Sequence, residues 1–258
     1  MNKQEYNKFI MLWAFYNKEV SRFLKVWGQT ILGPVITTSL FLMIFIVAVG
    51  EKNTGLPYTY AQFLVPGLIM MTVIQNAFAN TSSSLMMAKM HGNIIDVFMS
   101  PLTGIYVVTG FLLGAITRGL FVSIAILLYS MIFIDVKIYN IGLALYYVIS
   151  ASGVLGLMGV IAGIICIKFD QISNFTSLFI TPFSFLSGTF YSISKLPESV
   201  QTVIHYNPFF YMIDGLRYSF LGTSDSHVLL GGLVLLAINI VLFTLCVILW
   251  NKGYRIKS

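Results

Sequence analysis

Six long stretches of the chain contain no Asp, Glu, Lys or Arg. They cover residues 26–50, 53–88, 97–117, 138–167, 171–194 and 227–251. Each is at least as long as the ~20 apolar residues that a helix needs to cross a hydrocarbon core about 30 Å thick. The pattern predicts an all-α, polytopic membrane protein. Its six transmembrane helices are expected at about 29–50, 60–83, 104–134, 141–166, 171–191 and 228–250.

The first 28 residues follow a different pattern. Between Tyr6 and Trp27 large apolar side chains recur every three or four positions. Charged residues stand between them: Lys8, Lys18, Glu19, Arg22 and Lys25. This spacing predicts an amphipathic helix whose aromatic and basic residues favour the cytoplasmic membrane interface, with a solvent-facing helix as the alternative. The chain therefore divides into an interfacial helix, 1–28, and a six-span membrane domain, 29–258.

The inner connection, residues 86–103, has a helical pattern of its own. Apolar residues fall on one side and polar residues on the other: Met90, Ile94, Ile95 and Phe98 against Lys89, Asn93 and Asp96. Ser100 and Pro101 then end the helix. We expect it to lie across the base of the membrane domain, although a plain connector also fits the length.

The outer connection, residues 192–226, predicts two short helices. The first begins at Pro197, and the second has Asn207 as its cap, Pro208 in its first turn and Gly222 as its stop. The second helix is too apolar for a surface loop, so the pair is expected to form a re-entrant helical hairpin that acts as a gate. Asp214 and Arg217 are three residues apart on this helix and are expected to neutralise each other.

Composition agrees with a membrane protein, since 57% of the residues are hydrophobic and only 9% are charged, against about 25% charged in soluble domains. The net charge of +6 comes from basic residues beside the spans rather than in one patch, which argues against a nucleic-acid partner. Ten Lys and Arg lie on one side of the six-span arrangement and four on the other. By the positive-inside rule both termini are cytoplasmic.

Catalytic chemistry is sparse in this sequence. His91, His205 and His227 fall in separate loops without metal-ligand spacing, and no phosphate-binding loop of the Gly-x-x-x-x-Gly-Lys-Ser/Thr type occurs. We therefore expect no metal site, no cofactor held by this chain and no ATP hydrolysis by it. A membrane-embedded lipid-modifying enzyme and a structural scaffold remain the alternative functions.

Polar residues inside the predicted spans are candidates for a transport route. Arg118 lies near the middle of the third span, where an unpaired charge is unfavourable by about 2.5–3.5 kcal/mol. The fifth span carries a small polar stripe: Ser173, Ser177, Thr181, Ser184 and Gly188. The stripe either lines a path for an amphipathic substrate or packs against another helix. Arg118 is either functional or held by a structural hydrogen bond.

Four segments together resemble the type-2 permeases of ATP-binding cassette exporters. They are FLVPGLIMM at 63–71, SPLT at 100–103, FLSGTFYSISKLP at 185–197 and NPFFYMIDGLRYSFLG at 207–222. The resemblance covers nearly the whole chain. Many members carry a proline soon after the SGxFY segment, where this chain has Ser192 and Ile193. The segment that leads into the outer hairpin is therefore expected to differ from that of those members.

The resemblance implies a function, a location and partners. It implies a bacterial inner-membrane permease that pairs with a second copy of itself and with two ATP-binding subunits, which bind ATP and Mg²⁺. The substrate would be amphipathic or lipid-like, moved out of the cytoplasm or the inner leaflet, and membrane lipid would surround the spans. The residues assigned to coupling are Lys89, His91, Gly92, Asn93, Asp96 and Pro101. The residues assigned to the outer gate are Gly188, Asn207, Pro208, Asp214 and Arg217.

Overall fold

The computed structural model describes residues 3–49, 58–99 and 102–253, and within these ranges it contains helices and no strand. In chain order the helices are α1 (Lys3–Lys25), α2 (Gly33–Val49), α3 (Tyr60–Met90), α4 (Ile94–Met99), α5 (Gly104–Phe133), α6 (Ile141–Ile165), α7 (Phe169–Phe175), α8 (Thr181–Leu186), α9 (Glu198–His205), α10 (Pro208–Leu221) and α11 (Val228–Asn251). Two π-helical turns, Gly28–Leu32 and Thr176–Ile180, lead into α2 and α8. The protein is therefore all-α, as predicted.

Five helical segments are long and apolar enough to cross a membrane. They are Gly28–Val47, Tyr60–Met90, Gly104–Phe133, Ile141–Ile165 and Val228–Asn251. They correspond to the first, second, third, fourth and sixth predicted spans. The predicted fifth span falls on α7, the second π turn and α8, which are not among the five. The sixth membrane crossing therefore stays a prediction.

The bundle is built around α3 and α6. The apolar windows of these helices are 83% and 72% buried, whereas those of the first and last spans are 17% buried. Gly159 of α6 lies against α3 so closely that a Cβ atom there would stand 2.6 Å from the Phe78 carbonyl oxygen. The Thr81 hydroxyl donates to the Gly156 carbonyl at 2.6 Å across the same contact. Small residues thus bring the two helices together, as expected in lipid, where burial of apolar surface alone provides little attraction.

Helix α1 packs onto the bundle with one of its faces. Phe15 meets Phe111 of α5 edge to face with ring centroids 4.9 Å apart, and Phe23 is fully buried. A second face leaves Phe9 and Trp13 exposed, and Trp27, just after the helix, is exposed as well. The predicted helix is present and it ends at Lys25, close to the predicted boundary at residue 28. Its position at the membrane interface stays a prediction.

The inner connection differs from the single helix predicted from residue 86 onwards. Helix α3 continues to Met90, a turn follows in which Gly92 has φ 74°, and α4 begins at Ile94. Ile94 is buried, but Met90 and Ile95 are exposed although all three were expected on one side. The turn at Gly92 resets the helical register, which is why the expected apolar face is divided.

We predict that Gly159→Ala lowers the stability of the protein by about 1–3 kcal/mol, because the added methyl group would collide with the α3 backbone. The matched control is Gly33→Ala, where the nearest atom to a new Cβ is 3.9 Å away. Thermal unfolding of both purified variants in one detergent measures the difference. Equal melting temperatures would show that α3 and α6 do not approach as described.

Candidate functional site

The Arg217 side chain joins three of the sequence segments on which the resemblance depends. Its Nη2 atom donates to the Gly188 carbonyl at 2.6 Å, and its guanidinium carbon lies 3.9 Å from the centre of the Phe63 ring. Arg217 is 3% exposed. Gly67 allows this convergence, because a Cβ atom there would lie 2.6 Å from the Thr189 carbonyl oxygen. Helix α3, the segment after α8 and helix α10 therefore meet at one buried cation.

Asp214 serves a different part of the hairpin. Its carboxylate accepts from the Asp225 backbone N–H at 2.9 Å and from the Ser226 hydroxyl at 2.6 Å. Asp225 in turn accepts from the Ile193 N–H at 2.9 Å and from the Ser192 hydroxyl. Asp214 thus fastens the segment that follows α10, and Asp225 fastens the segment that precedes α9.

The predicted neutralisation of Asp214 by Arg217 does not take the form of a direct ion pair. No salt bridge joins the two side chains in the described part of the chain, and each binds other groups, although their opposite charges still attract each other. Because α10 is buried on nearly all sides, its charged side chains contact protein rather than solvent. The segments they meet, at Gly188 and Asp225, are not helical, so backbone carbonyl and N–H groups there can bond the charges directly.

The helix signals of the outer hairpin are confirmed. Asn207 accepts from the Phe209 N–H at 3.1 Å as the cap of α10, Pro208 is in the first turn, and Gly222 ends the helix with φ 71°. The Asn207 amide also donates to the Ser187 hydroxyl at 2.8 Å. Gly188 has φ 81°, which lets its carbonyl face Arg217. The gate residues predicted from sequence therefore lie in one contact network.

Ser192 and Ile193, the residues that stand where a proline was expected, have defined roles in this network. Ile193 opens a short 3₁₀ turn, Ile193–Lys195, and packs with Ile204 and Phe210 in a small separate core. The Ser192 hydroxyl bonds the Asp225 carboxylate at 2.8 Å. The entry to the hairpin is thus held by side chain and N–H contacts that a proline could not provide at position 193.

The residues assigned to coupling divide into two groups. The Lys89 ammonium donates to the carbonyls of Ile164 and Cys166, so it ties the inner end of α3 to the inner end of α6. His91, Asn93 and Asp96 are exposed in the turn and first residues of α4, with Gly92 between them. Pro101 lies outside the described residues. The coupling role of the exposed group stays a prediction, whereas Lys89 bonds within the bundle itself.

Arg118 belongs to a buried polar cluster that links α1, α3 and α5. Its Nη2 atom donates to the Asn76 side-chain oxygen at 2.8 Å, and Arg118 is 8% exposed. One helical turn further along α3, Arg22 of α1 donates to the Asn80 carbonyl at 2.6 Å. Glu19 is fully buried, accepts from Ser84 at 2.8 Å, and lies 3.5 Å from Arg22.

Sequence reasoning placed Glu19 and Arg22 on the polar face of α1 and missed this cluster. A signal was available, since Glu19 falls midway between Phe15 and Phe23 on one helical stripe of large apolar residues. Thr117, the residue before Arg118, shares a hydrogen bond with Tyr16 at 2.9 Å.

The residues of the polar stripe in the fifth predicted span lie in different environments. Ser177 is exposed, Thr181 is partly buried, and Ser184 is fully buried and bonds the Ile180 carbonyl at 2.7 Å. The π turn over Thr176–Ile180 changes the helical register between them. Thr181 lines a cleft of about 420 Å³ bounded by α2, α3 and α8, and this cleft is the candidate substrate site.

Five helices long and apolar enough to cross a membrane, together with a hairpin of two short helices and an exposed turn before α4, are typical of a multi-pass membrane protein. The profile of the ABC-2 type transporter family matches residues 11–221. The chain belongs to this family. It is 35% identical over 252 residues to the inner membrane transport permease YadH of Escherichia coli K12, and equally to YadH of Shigella flexneri, with 97% of this chain and 98% of each relative covered.

Exchanging the two charges of α10 should not restore stability. Asp214→Ala and Arg217→Ala should each cost about 1–3 kcal/mol through the buried partners left unpaired. The double variant Asp214→Arg, Arg217→Asp should be no better, because it would present a carboxylate to the Gly188 carbonyl and a guanidinium to the Asp225 N–H. Thermal unfolding in detergent measures all three variants.

The control for this exchange is the exposed pair of Asp135 and Lys137, whose charged atoms are 3.6 Å apart. Swapping these two charges should leave stability almost unchanged, as for most surface ion pairs. Recovery of stability by the α10 swap would mean that Asp214 and Arg217 act as a direct pair.

Proposed function

We propose that this permease exports an amphipathic or lipid-like substrate from the cytoplasm or the inner leaflet of a bacterial inner membrane. It acts as a homodimer with two separate ATP-binding subunits, which supply ATP and Mg²⁺. Family membership supports an ATP-binding partner, and the name of the YadH relative supports the inner membrane.

The observation that carries the proposal is the course of α3. This helix has 31 residues, about 46 Å at 1.5 Å per residue. Near its outer end Phe63 and Gly67 contact the Arg217 anchor, and in its middle Leu68, Thr72 and Asn76 line the cleft. Its inner end leads directly into the exposed turn at Gly92. One rigid element therefore touches the partner surface, the substrate cleft and the outer hairpin.

This arrangement suggests how ATP binding drives transport. Closure of two ATP-binding subunits would push the turn at His91–Asp96 and shift α3 along the bundle. The shift would move Phe63 and Gly67 against the hairpin, whose position depends on Arg217. The hairpin would then open outward as the cleft delivers its substrate. In this scheme His91, Gly92, Asn93 and Asp96 receive the movement, and Gly188, Asn207, Pro208, Asp214 and Arg217 respond to it.

The exposed apolar surface at the periphery of the bundle supports the proposal that a second copy of the chain is the partner within the membrane. The span Gly28–Val47 is only 17% buried, and Ile36, Leu40 and Val47 are exposed on it. The same helix forms one wall of the cleft through Thr37 and Thr38. A second copy packed near this helix would extend the cleft into a shared path, while lipid would cover the remaining apolar faces.

Asp96→Arg should weaken capture of the ATP-binding subunit about tenfold, equivalent to about 1.4 kcal/mol, because it reverses the carboxylate that the turn exposes. The matched control is Asp135→Arg on the exposed α5–α6 connection, which should leave capture unchanged. Affinity purification from native membranes, followed by an ATPase assay of the complex, gives both readouts. Failure of the unaltered chain to retain any ATPase subunit, in a detergent that preserves such complexes, would contradict the proposed function.

Cysteine labelling tests the orientation. In a chain with Cys166 and Cys246 replaced by Ser, Asn93→Cys should react with an impermeant maleimide only after the cells are opened. Lys137→Cys, in an exposed segment, should react in intact spheroplasts. The positive-inside distribution of Lys and Arg gives this expectation. Labelling of position 93 in intact spheroplasts would contradict the predicted orientation, in which this position is cytoplasmic.

A further inference from the structure

The cleft beside α3 has walls of two kinds. Six of its lining side chains carry hydroxyl or amide groups: Thr37, Thr38, Thr72, Gln75, Asn76 and Thr181. Phe41, Leu68 and Phe185 supply apolar surface. Such a site suits a molecule with a hydrogen-bonding headgroup and an apolar remainder. Hydroxyl and amide groups both donate and accept hydrogen bonds, so these walls alone do not select the charge of the ligand.

A buried positive charge lies directly behind this wall. The Asn76 side-chain oxygen accepts from Arg118 Nη2 at 2.8 Å, while its nitrogen donates to the Thr72 carbonyl at 3.0 Å. The Arg118 Nε atom is buried without a hydrogen-bond partner. No carboxylate pairs with Arg118 within the described ranges, because the nearby Glu19 is paired with Arg22.

The field of this charge reaches the cleft with little screening. Arg118 is 8% exposed, and one hydrogen bond joins it to Asn76, which lines the cleft. Interactions between charges are several-fold stronger there than in bulk water. An uncompensated cation inside a membrane domain is unfavourable unless something offsets it. An anion bound in the cleft would offset it, and a cation would be repelled.

We propose that the cleft binds an anionic amphiphile, with its phosphate or other anionic headgroup beside Asn76 and its charge compensated by Arg118. This inference rests on the proposed function and narrows its substrate class from amphipathic molecules in general to anionic ones. The polar residues of the cleft hydrogen-bond the headgroup, and Phe41, Leu68 and Phe185 contact the apolar part. A free phosphate ester shares the headgroup chemistry but lacks the apolar part.

Native mass spectrometry of the purified full-length chain in a non-ionic detergent tests this preference. The probes are dioctanoyl phosphatidylglycerol, dioctanoyl phosphatidylcholine and glycerol 3-phosphate. We expect the phosphatidylglycerol to bind about tenfold more tightly than either other probe. Equal affinity for the two lipids would overturn the proposal. Glycerol 3-phosphate binding as tightly as the anionic lipid would overturn the assignment of an amphiphile.

Three variants locate the binding to this cleft. Asn76→Asp keeps the packing and gives Arg118 an internal carboxylate, so it should abolish the preference for the anionic lipid. Arg118→Gln should also abolish it, and Arg118→Lys should retain it. If Arg118→Gln fails to fold, the Asn76→Asp comparison still decides, since that variant keeps Arg118 and pairs it with a carboxylate. A preference that survives Asn76→Asp would overturn the proposal.

A surface control separates the cleft from the membrane-facing side of α1. Lys18 and Lys25 are exposed there, and the double variant Lys18→Gln, Lys25→Gln should keep the full preference. Loss of the preference in this control would place the anion at the surface and overturn the assignment. The binding assay needs no ATP-binding subunit. A negative binding result would therefore overturn the proposed anion preference without changing the outcome of the ATPase capture experiment. Conversely, absence of an ATPase partner would leave the binding preference standing.

Discussion

The close contact between α3 and α6 is the constraint around which the other helices are arranged. Lipid surrounds a membrane bundle with apolar groups, so association depends on close packing and on hydrogen bonds between helices. Gly156, Gly159 and Gly163 provide the space, and the Thr81 hydroxyl crosses the gap to a carbonyl of α6. Helix α10 of the outer hairpin and the cleft walls α2 and α8 pack against α3, whereas α1 packs against α5 and bonds to α3 through Arg22 and Glu19.

Among the described residues, backbone groups hold the charges of the outer hairpin and of the inner end of α3. Arg217 and Lys89 donate to carbonyls at helix ends, and Asp214 accepts from an N–H beyond α10. A sequence shows which residues carry charge, but every residue has a carbonyl, so it does not show which carbonyl faces a cation. The presence of buried charge in the hairpin could therefore be predicted, whereas the partners of those charges required the coordinates.

The predictions that succeeded rest on signals that act within a few residues. Helix caps such as Asn207 and stops such as Gly222 work through local hydrogen bonds and backbone conformation, and both are present. Five long apolar helices follow from the absence of charge over 20 or more residues. The apolar pattern of the inner connection predicts one continuous helix, whereas the left-handed φ of 74° at Gly92 ends one helix and permits another.

Each of the two π turns comes just before a proline, although Pro66 lies inside α3 without such a turn, so a proline permits a π turn without requiring one. Pro34 follows the turn Gly28–Leu32 by two residues, and Pro182 follows the turn Thr176–Ile180 in the same way. Proline has no N–H to donate and its ring collides with the carbonyl four residues earlier, here Thr30 and Leu178. A widened turn at that carbonyl accommodates the ring while the helix continues. The shift in register explains why Ser177 and Ser184 face different surroundings.

Helix α1 cannot be treated as a passive anchor, because its charged residues are bonded to the moving element. Arg22 donates to the carbonyl and the side-chain oxygen of Asn80, and Glu19 accepts from Ser84, all on α3. A displacement of α3 must therefore either break these buried hydrogen bonds or carry α1 with it. In the proposed scheme both routes are unfavourable, because moving α1 with α3 would separate Phe15 from Phe111 of α5, and breaking the bonds would leave Glu19 buried without the Ser84 hydroxyl. The proposed shift of α3 would therefore depend on the contacts that α1 makes with both α3 and α5.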